Sequence, residues 1–198
     1  MKPALVLASG SPRRRELLAG LGLRFAVRPP EVDETPRSGE APEAFVLRLA
    51  REKAGADSGG RAAPEREIVL AADTVVVVDG ELLGKPRDAA DAARMLRRIA
   101  GREHQVLTGV AVRTAGDGRV AADVERTQVR IAALSEPRIA WYVATGEPLD
   151  KAGAYAVQGL GALLVEAVFG NYTNVVGLPL PLVARLFADL GYDLIDFR

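Results

Sequence analysis

The stretch Ile68-Val69-Leu70-Ala71-Ala72-Asp73-Thr74-Val75-Val76-Val77-Val78 restricts the possible folds more than any other part of the chain. A near-continuous apolar run of this kind is expected for a central strand covered on both faces. Asp79-Gly80 is a strong hairpin signal, so Glu81–Gly84 should return alongside it. One carboxylate interrupts the run. Burying Asp73 ionised and unpaired is prohibitive, so it must meet a cation, a metal or the lip of a cleft. The structural alternative is a strand that ends at Ala72. Because apolar strand resumes after Asp73, a site residue is the favoured reading.

A second anomaly lies near the start. Leu5–Ala8 reads as a short buried strand, broken at Ser9-Gly10. Ser11 is a good N-cap, and Pro12 stands where the first helical residue tolerates proline. Arg13, Arg14 and Arg15 then crowd a first turn whose dipole is already positive. A strand–Gly–Ser–helix turn accepting three cations suits an anion such as phosphate. A solvated basic turn whose arginines pair with nearby acids is the other reading.

Further along, Leu23–Arg28 looks like a strand, followed by an acidic, turn-rich loop from Pro29 to Pro42 that contains Glu34. Loops of that length inside a domain are often functional. A helix is expected from Pro42 to about Asp57, closed by Gly59-Gly60. Taken alone, its Lys53 reads as a surface lysine. Gly84-Lys85-Pro86 leads into a helix over Asp88–Ala100. Two long strands should follow, His104–Thr114 and Val120–Ala133, with His104 structural rather than catalytic. Ser135 caps a helix to Thr145. A strand over Ala162–Phe169, a polar loop over Gly170–Pro179 and a helix over Pro179–Leu190 complete the chain. Interleaved helices and strands give an α/β class with a mixed sheet.

Composition excludes several kinds of chemistry. With no cysteine there are no thiol nucleophiles, disulfides or thiolate metal sites, and a single histidine excludes multi-histidine ones. Lys+Arg and Asp+Glu balance at 26 each, which argues against a nucleic-acid or membrane surface. Any phosphate-binding charge must be local. The sequence turns polar by Ser9, too soon for a signal peptide, and no apolar run reaches membrane length, so a soluble cytoplasmic protein is expected. A chain of 198 residues with 48% hydrophobic residues suits one large domain or two small lobes sharing a sheet.

The motifs LASGSPRRREL, AADTVVV, GKP, TGEPLDKAGAY, QG and NVVGLP, in that order, resemble the Maf family of nucleoside triphosphate pyrophosphatases. The resemblance runs from Leu5 to the last helix. It implies a mixed, strongly twisted sheet flanked by helices, with two lobes and a central cleft, related to the inosine triphosphate pyrophosphatase fold. It implies hydrolysis of a nucleoside triphosphate to the monophosphate and pyrophosphate, a divalent metal (Mg2+ or Mn2+), and a homodimer. Carried over residue by residue, Asp73 is catalytic, as proton acceptor. Ser9, Arg13, Arg14, Lys53 and Lys85 serve the phosphates, and Glu34 joins Asp73 at the metal. A carboxylate bound to magnesium is a poor base, so Asp73 serves either as base or as the group that positions metal and water.

Within the family, Arg13, Thr74 and Gln158 match the branch favouring dTTP and UTP. The branch favouring 7-methyl-GTP has tryptophan, glutamine and glutamate there. A carboxamide at Gln158 offers both donor and acceptor, complementing the N3–H and O4 edge of uracil or thymine. Two alternatives stay open: a pyrophosphatase for other non-standard nucleotides such as ITP or XTP, and a nucleotide-binding regulator of septum formation.

Overall fold

The computed structural model describes residues 3–56 and 67–198. Seven strands are described: β1 (Ala4–Leu7), β2 (Phe25–Val27), β3 (Glu67–Val78), β4 (Glu81–Leu83), β5 (Glu103–Thr114), β6 (Val120–Ile131) and β7 (Val165–Phe169). They form one mixed sheet in the order β2-β1-β3-β5-β6-β7, with β4 paired to β3. β1 runs parallel to both β2 and β3, in the register Leu7↔Leu70, while β3–β4 and β6–β7 are antiparallel. The helices are α1 (Pro12–Gly20), α2 (Pro42–Ala56), α3 (Ala89–Ile99), α4 (Glu136–Ala144), α5 (Tyr172–Val176) and α6 (Leu180–Asp189). The α/β class and the mixed, helix-flanked sheet are those the sequence predicts. Among the described residues no helix is long and apolar enough to cross a membrane.

The chain divides into two units. The first holds the residues up to Asp73 with Thr108–Glu125 and Gly177–Arg198, and the second holds Thr74–Leu107 and Arg126–Val176. In the first unit the two-residue period of β1 and β3 separates two cores. Leu5, Leu7, Ile68, Leu70 and Ala72 pack with Leu18 of α1 and Leu182, Val183, Leu186 and Phe187 of α6. The opposite residues, Val6, Ala8, Val69 and Ala71, pack with Ala50 and Ala54 of α2. Gly109 of β5 is what lets α2 come close: a Cβ there would stand 2.2 Å from the Val46 carbonyl oxygen.

In the second unit Val76 and Val78 of β3 pack with Ala92, Met95, Leu96 and Ile99 of α3 and with Tyr142 and Tyr155. The β3–β4 hairpin turns at Asp79 (φ 50) and Gly80 (φ 79), both left-handed, as a tight two-residue connection requires. Asp88 caps α3 by accepting from Asp91 N at 2.8 Å.

Several boundaries differ from expectation. β3 runs unbroken through Asp73, which removes the alternative of a strand ending at Ala72. The second strand shrinks to Phe25–Val27. The strand expected over Ala162–Phe169 begins only at Val165, because Gly159–Leu163 winds into a 3-10 turn. The Glu147 carboxylate forces that turn by accepting from the amides of Leu160 (3.0 Å) and Gly161 (2.8 Å). The polar loop over Gly170–Pro179 contains the short helix α5. Asp57 and the Gly59-Gly60 stop lie outside the described residues.

Candidate active site

The site is built on the first unit. Asp73 follows Val69 and Ala71 on the face of β3 that α2 covers, and it is only 7% exposed. On α2 the inward stripe is Val46, Leu49, Ala50, Lys53 and Ala54, at helical spacing. Lys53 therefore points into the core rather than to solvent, at 8% exposure. The two meet: Lys53 Nζ donates to Asp73 Oδ1 at 2.6 Å. The same ammonium lies 2.6 Å from Oε1 of Glu34, which reaches in from the acidic loop with its side chain still largely exposed. The surface reading of Lys53 is overturned, and the buried carboxylate has its cation.

The basic turn stands beside this cluster. Ser11 ends the approach to α1 in extended conformation but makes no side-chain cap; its amide instead donates to Ser9 Oγ at 3.2 Å. Arg14 turns inward and is buried. Its Nε donates to Gly177 O and its Nη1 to Ala72 O, both at 2.7 Å, with Ser9 Oγ at 3.2 Å from Nη1. Burial pulls its pKa below the ordinary arginine value, and the charges of Asp73 and Glu34 oppose that pull. Arg14 thus braces β3 and the turn before α6 through main-chain carbonyls, and the turn after β1 through the Ser9 hydroxyl. Arg13, next to it in α1, is partly exposed.

The remaining expected residues belong to the second unit. Thr74 follows Asp73 in β3 and is half-buried. Lys85 is exposed in the loop between β4 and α3. Gln158 is exposed and leads directly into the 3-10 turn that Glu147 holds. His104 is buried, with Nε2 2.7 Å from Tyr155 Oη, and burial lowers its pKa to about 4. That is a structural environment, as the sequence suggests.

A divalent metal can be tested against these residues. Asp73 and Glu34 offer oxygen donors only, and both already converge on one cation, the Lys53 ammonium. Among the described residues no group of three or more acidic or histidine side chains forms a dedicated cage. Two carboxylates without a cage fit a hard ion that completes its shell with substrate phosphates and water.

Sequence reasoning missed the anchor of the loop that carries Glu34. Arg48 of α2 donates to both oxygens of Glu40 (Nε–Oε1 2.7 Å, Nη2–Oε2 2.8 Å), to Glu52 Oε2 (3.1 Å) and to the Thr35 carbonyl (3.2 Å). The Arg48 hydrogen bonds hold the Glu40 carboxyl down to about 2. The i,i+4 pairing of Arg48 with Glu52 is visible in the sequence; the reach back to Glu40 and Thr35 is not.

The model of the Maf-like protein family matches residues 4–190, and the chain belongs to that family. Its relatives are similar over nearly their full length. The chain is 56% identical over 196 residues to a dTTP/UTP pyrophosphatase of Anaeromyxobacter dehalogenans, covering 98% of this chain and 97% of that protein. It is 53% identical over 190 residues to one of Myxococcus xanthus (96% and 94%), and 52% identical over 190 residues to one of Symbiobacterium thermophilum (96% and 95%). All three carry the same name.

Proposed function

We propose that the protein hydrolyses dTTP and UTP to the monophosphate and pyrophosphate, clearing or balancing the nucleotide pool. The observation that carries the reading is the buried Asp73–Lys53 pair, joined by Glu34, in a chain over half identical to proteins named for that activity.

In this mechanism Arg13, together with Lys85, offsets phosphate charge, while Arg14, already bound to carbonyl oxygens, keeps the turn rigid. Lys53 fixes Asp73 through Oδ1 and lends it a positive neighbour. Asp73 orients a water in line with the α-phosphorus. The new O–P bond forms as the bond to the β-phosphate bridging oxygen breaks; the proton passes to Asp73 and pyrophosphate leaves. Glu34 would hold Mg2+ or Mn2+, joined by Asp73 where Asp73 serves the metal rather than the proton, and the ion would supply charge neutralisation at the phosphate oxygens. Gln158 would read the base edge, its carboxamide matching N3–H and O4 of uracil or thymine. A cytoplasmic homodimer without nucleic-acid or membrane partners completes the reading, consistent with the zero net charge.

The test is hydrolysis of dTTP, UTP, 7-methyl-GTP and ITP with Mg2+ or Mn2+, assaying pyrophosphate and phosphate separately, with Asp73→Asn alongside. Pyrophosphate from dTTP and UTP, lost in the variant, is the expected result. If Asp73→Asn loses turnover yet binds Mn2+ normally, its role is the proton; if both are lost, it is a ligand. Activity confined to ITP or 7-methyl-GTP would overturn Arg13, Thr74 and Gln158 as specificity residues. Nucleotide binding without turnover would overturn the enzyme.

A further inference from the structure

Glu34 stands at the edge of the site: its side chain is 58% exposed, it sits in a loop without regular structure, and it pairs with the buried Lys53 ammonium. That ion pair acts on the end of the side chain and leaves the main chain of the loop to be fixed by its own contacts. The contacts nearest in sequence are those of the next residue. Thr35 N donates to Asp33 Oδ1 at 2.9 Å, closing a small turn around Glu34, and Thr35 O accepts from Arg48. Downstream, Glu40 returns to the same guanidinium in a two-oxygen fork and also takes the amide of Arg37 at 3.1 Å.

We propose that Arg48 is a positioning residue for the reaction: by tying Thr35 and Glu40 to α2, it sets the Glu34 carboxylate at the Asp73–Lys53 centre and so sets the affinity for the divalent cation. Several features make Arg48 suited to this. Only 13% of its side chain is exposed, and its bonds to Glu40 and Glu52 are partly buried. Its planar fork engages Glu40 through two parallel bonds, a geometry lysine cannot reproduce. It also lies on the helix that carries Lys53, so loop and ammonium share one rigid support. Groups that orient a metal-binding carboxylate typically change affinity or activity 10- to 100-fold when removed.

This inference rests on the proposed metal-dependent reaction, so the experiment reads metal binding apart from turnover. Mn2+ is titrated into the nucleotide-free protein by electron paramagnetic resonance or calorimetry, for the parent, Arg48→Gln, Arg48→Lys, Glu34→Gln and the Arg48→Gln/Glu34→Gln double variant. Circular dichroism and thermal melts identify the variants that stay folded. The expected result is Mn2+ affinity roughly 10- to 100-fold weaker in Arg48→Gln. Arg48→Lys, which keeps the charge but not the fork, should be weakened as well. Arg48→Gln should add nothing once Glu34 is gone, and most of kcat should return at saturating Mn2+. Parent-like Mn2+ affinity in either folded Arg48 variant overturns the proposal. So do effects of Arg48→Gln and Glu34→Gln that simply multiply, or a parent that binds no Mn2+. A parent that releases no pyrophosphate while Arg48→Gln still loosens Mn2+ defeats the enzymatic reading and leaves the positioning role standing.

Discussion

His104 gives the chain a measurable response to acid. It is the only histidine in the chain and is 3% exposed. Burial lowers its pKa from 6.5 to about 4. The ring keeps one polar contact, Nε2 with Tyr155 Oη, and Nδ1 is buried with no hydrogen-bond partner among the described residues. Charging the ring therefore puts an imidazolium, with an unanswered N–H, into the core. The sign follows from proton binding: as pH falls through 6.5 the unfolded chain takes up a proton that the folded chain refuses. Stability is full above pH 6.5, declines as pH falls, and stops declining near pH 4, where both states are protonated. The gap between 6.5 and about 4, at about 1.4 kcal/mol per pH unit, amounts to about 3 kcal/mol, of which about 2 kcal/mol is lost between pH 7.5 and pH 5. Urea titrations at those two pH values should differ in midpoint by about 1 M, for an unfolding slope of about 2 kcal/mol per molar. Carboxylates held low in the fold, such as Glu40, add only a small slope in the same direction above pH 5, so the difference between parent and variant isolates this one group. His104→Gln, which can still bond Tyr155, should flatten the difference whatever it does to absolute stability. Parallel pH dependences in parent and variant would refute the reasoning.

Three further outcomes follow from the packing. Gly109→Ala drives a methyl onto the Val46 carbonyl of α2 and should lower stability by about 3 kcal/mol, read by chemical denaturation. Lys53→Met leaves Asp73 buried without its cation; it should abolish pyrophosphate release and destabilise the fold by about 3 kcal/mol at pH 7. Glu147→Ala removes the acceptor for Tyr142 Oη, Leu160 N and Gly161 N, losing about 2 kcal/mol. Hydrogen exchange should quicken at the Leu160 and Gly161 amides; on the proposed reading of Gln158 as the residue that meets the base, the preference for UTP over ITP should weaken as well.

The residues differ in how much of their structural role was legible. β3 and its aspartate were readable because an apolar run buried on both faces leaves a carboxylate nowhere to hide. The inward course of Lys53 was also present in the sequence: continuing the Val46, Leu49, Ala50 period by one turn lands on it. Local reasoning put it on the surface because lysine usually lies there, and a tertiary partner 20 residues away reversed the preference. Arg14 was not legible. Three consecutive arginines look alike, and which one turns inward depends on the carbonyls of Ala72 and Gly177, placed by two distant parts of the chain. The 3-10 turn at Gly159–Leu163 escaped for the same kind of reason: the apolar run from Ala162 reads as strand, and what turns its start is a carboxylate supplied from Glu147.

The charges of the first unit account for both the stability of this cluster and its demand on a substrate. Asp73 and Glu34 bring two negative charges, and Lys53 and Arg14 bring two positive ones, with Arg14 sensing both carboxylates. The balance is what makes burial tolerable, because an uncompensated charge at such depth would be ruinous. It also means that the carboxylates and these two cations have no surplus positive charge for a triphosphate. On the proposed reading the incoming anion needs charge from outside the balanced group: Arg13, Lys85 and the accompanying divalent cation. Removing Glu34 would then have two opposed effects, freeing the Lys53 charge for phosphate while taking away a metal oxygen. Glu34→Gln should accordingly bind nucleotide without metal more tightly than the parent, yet turn it over more slowly. A loss of metal-free nucleotide binding in that variant would show that the balance has been misjudged.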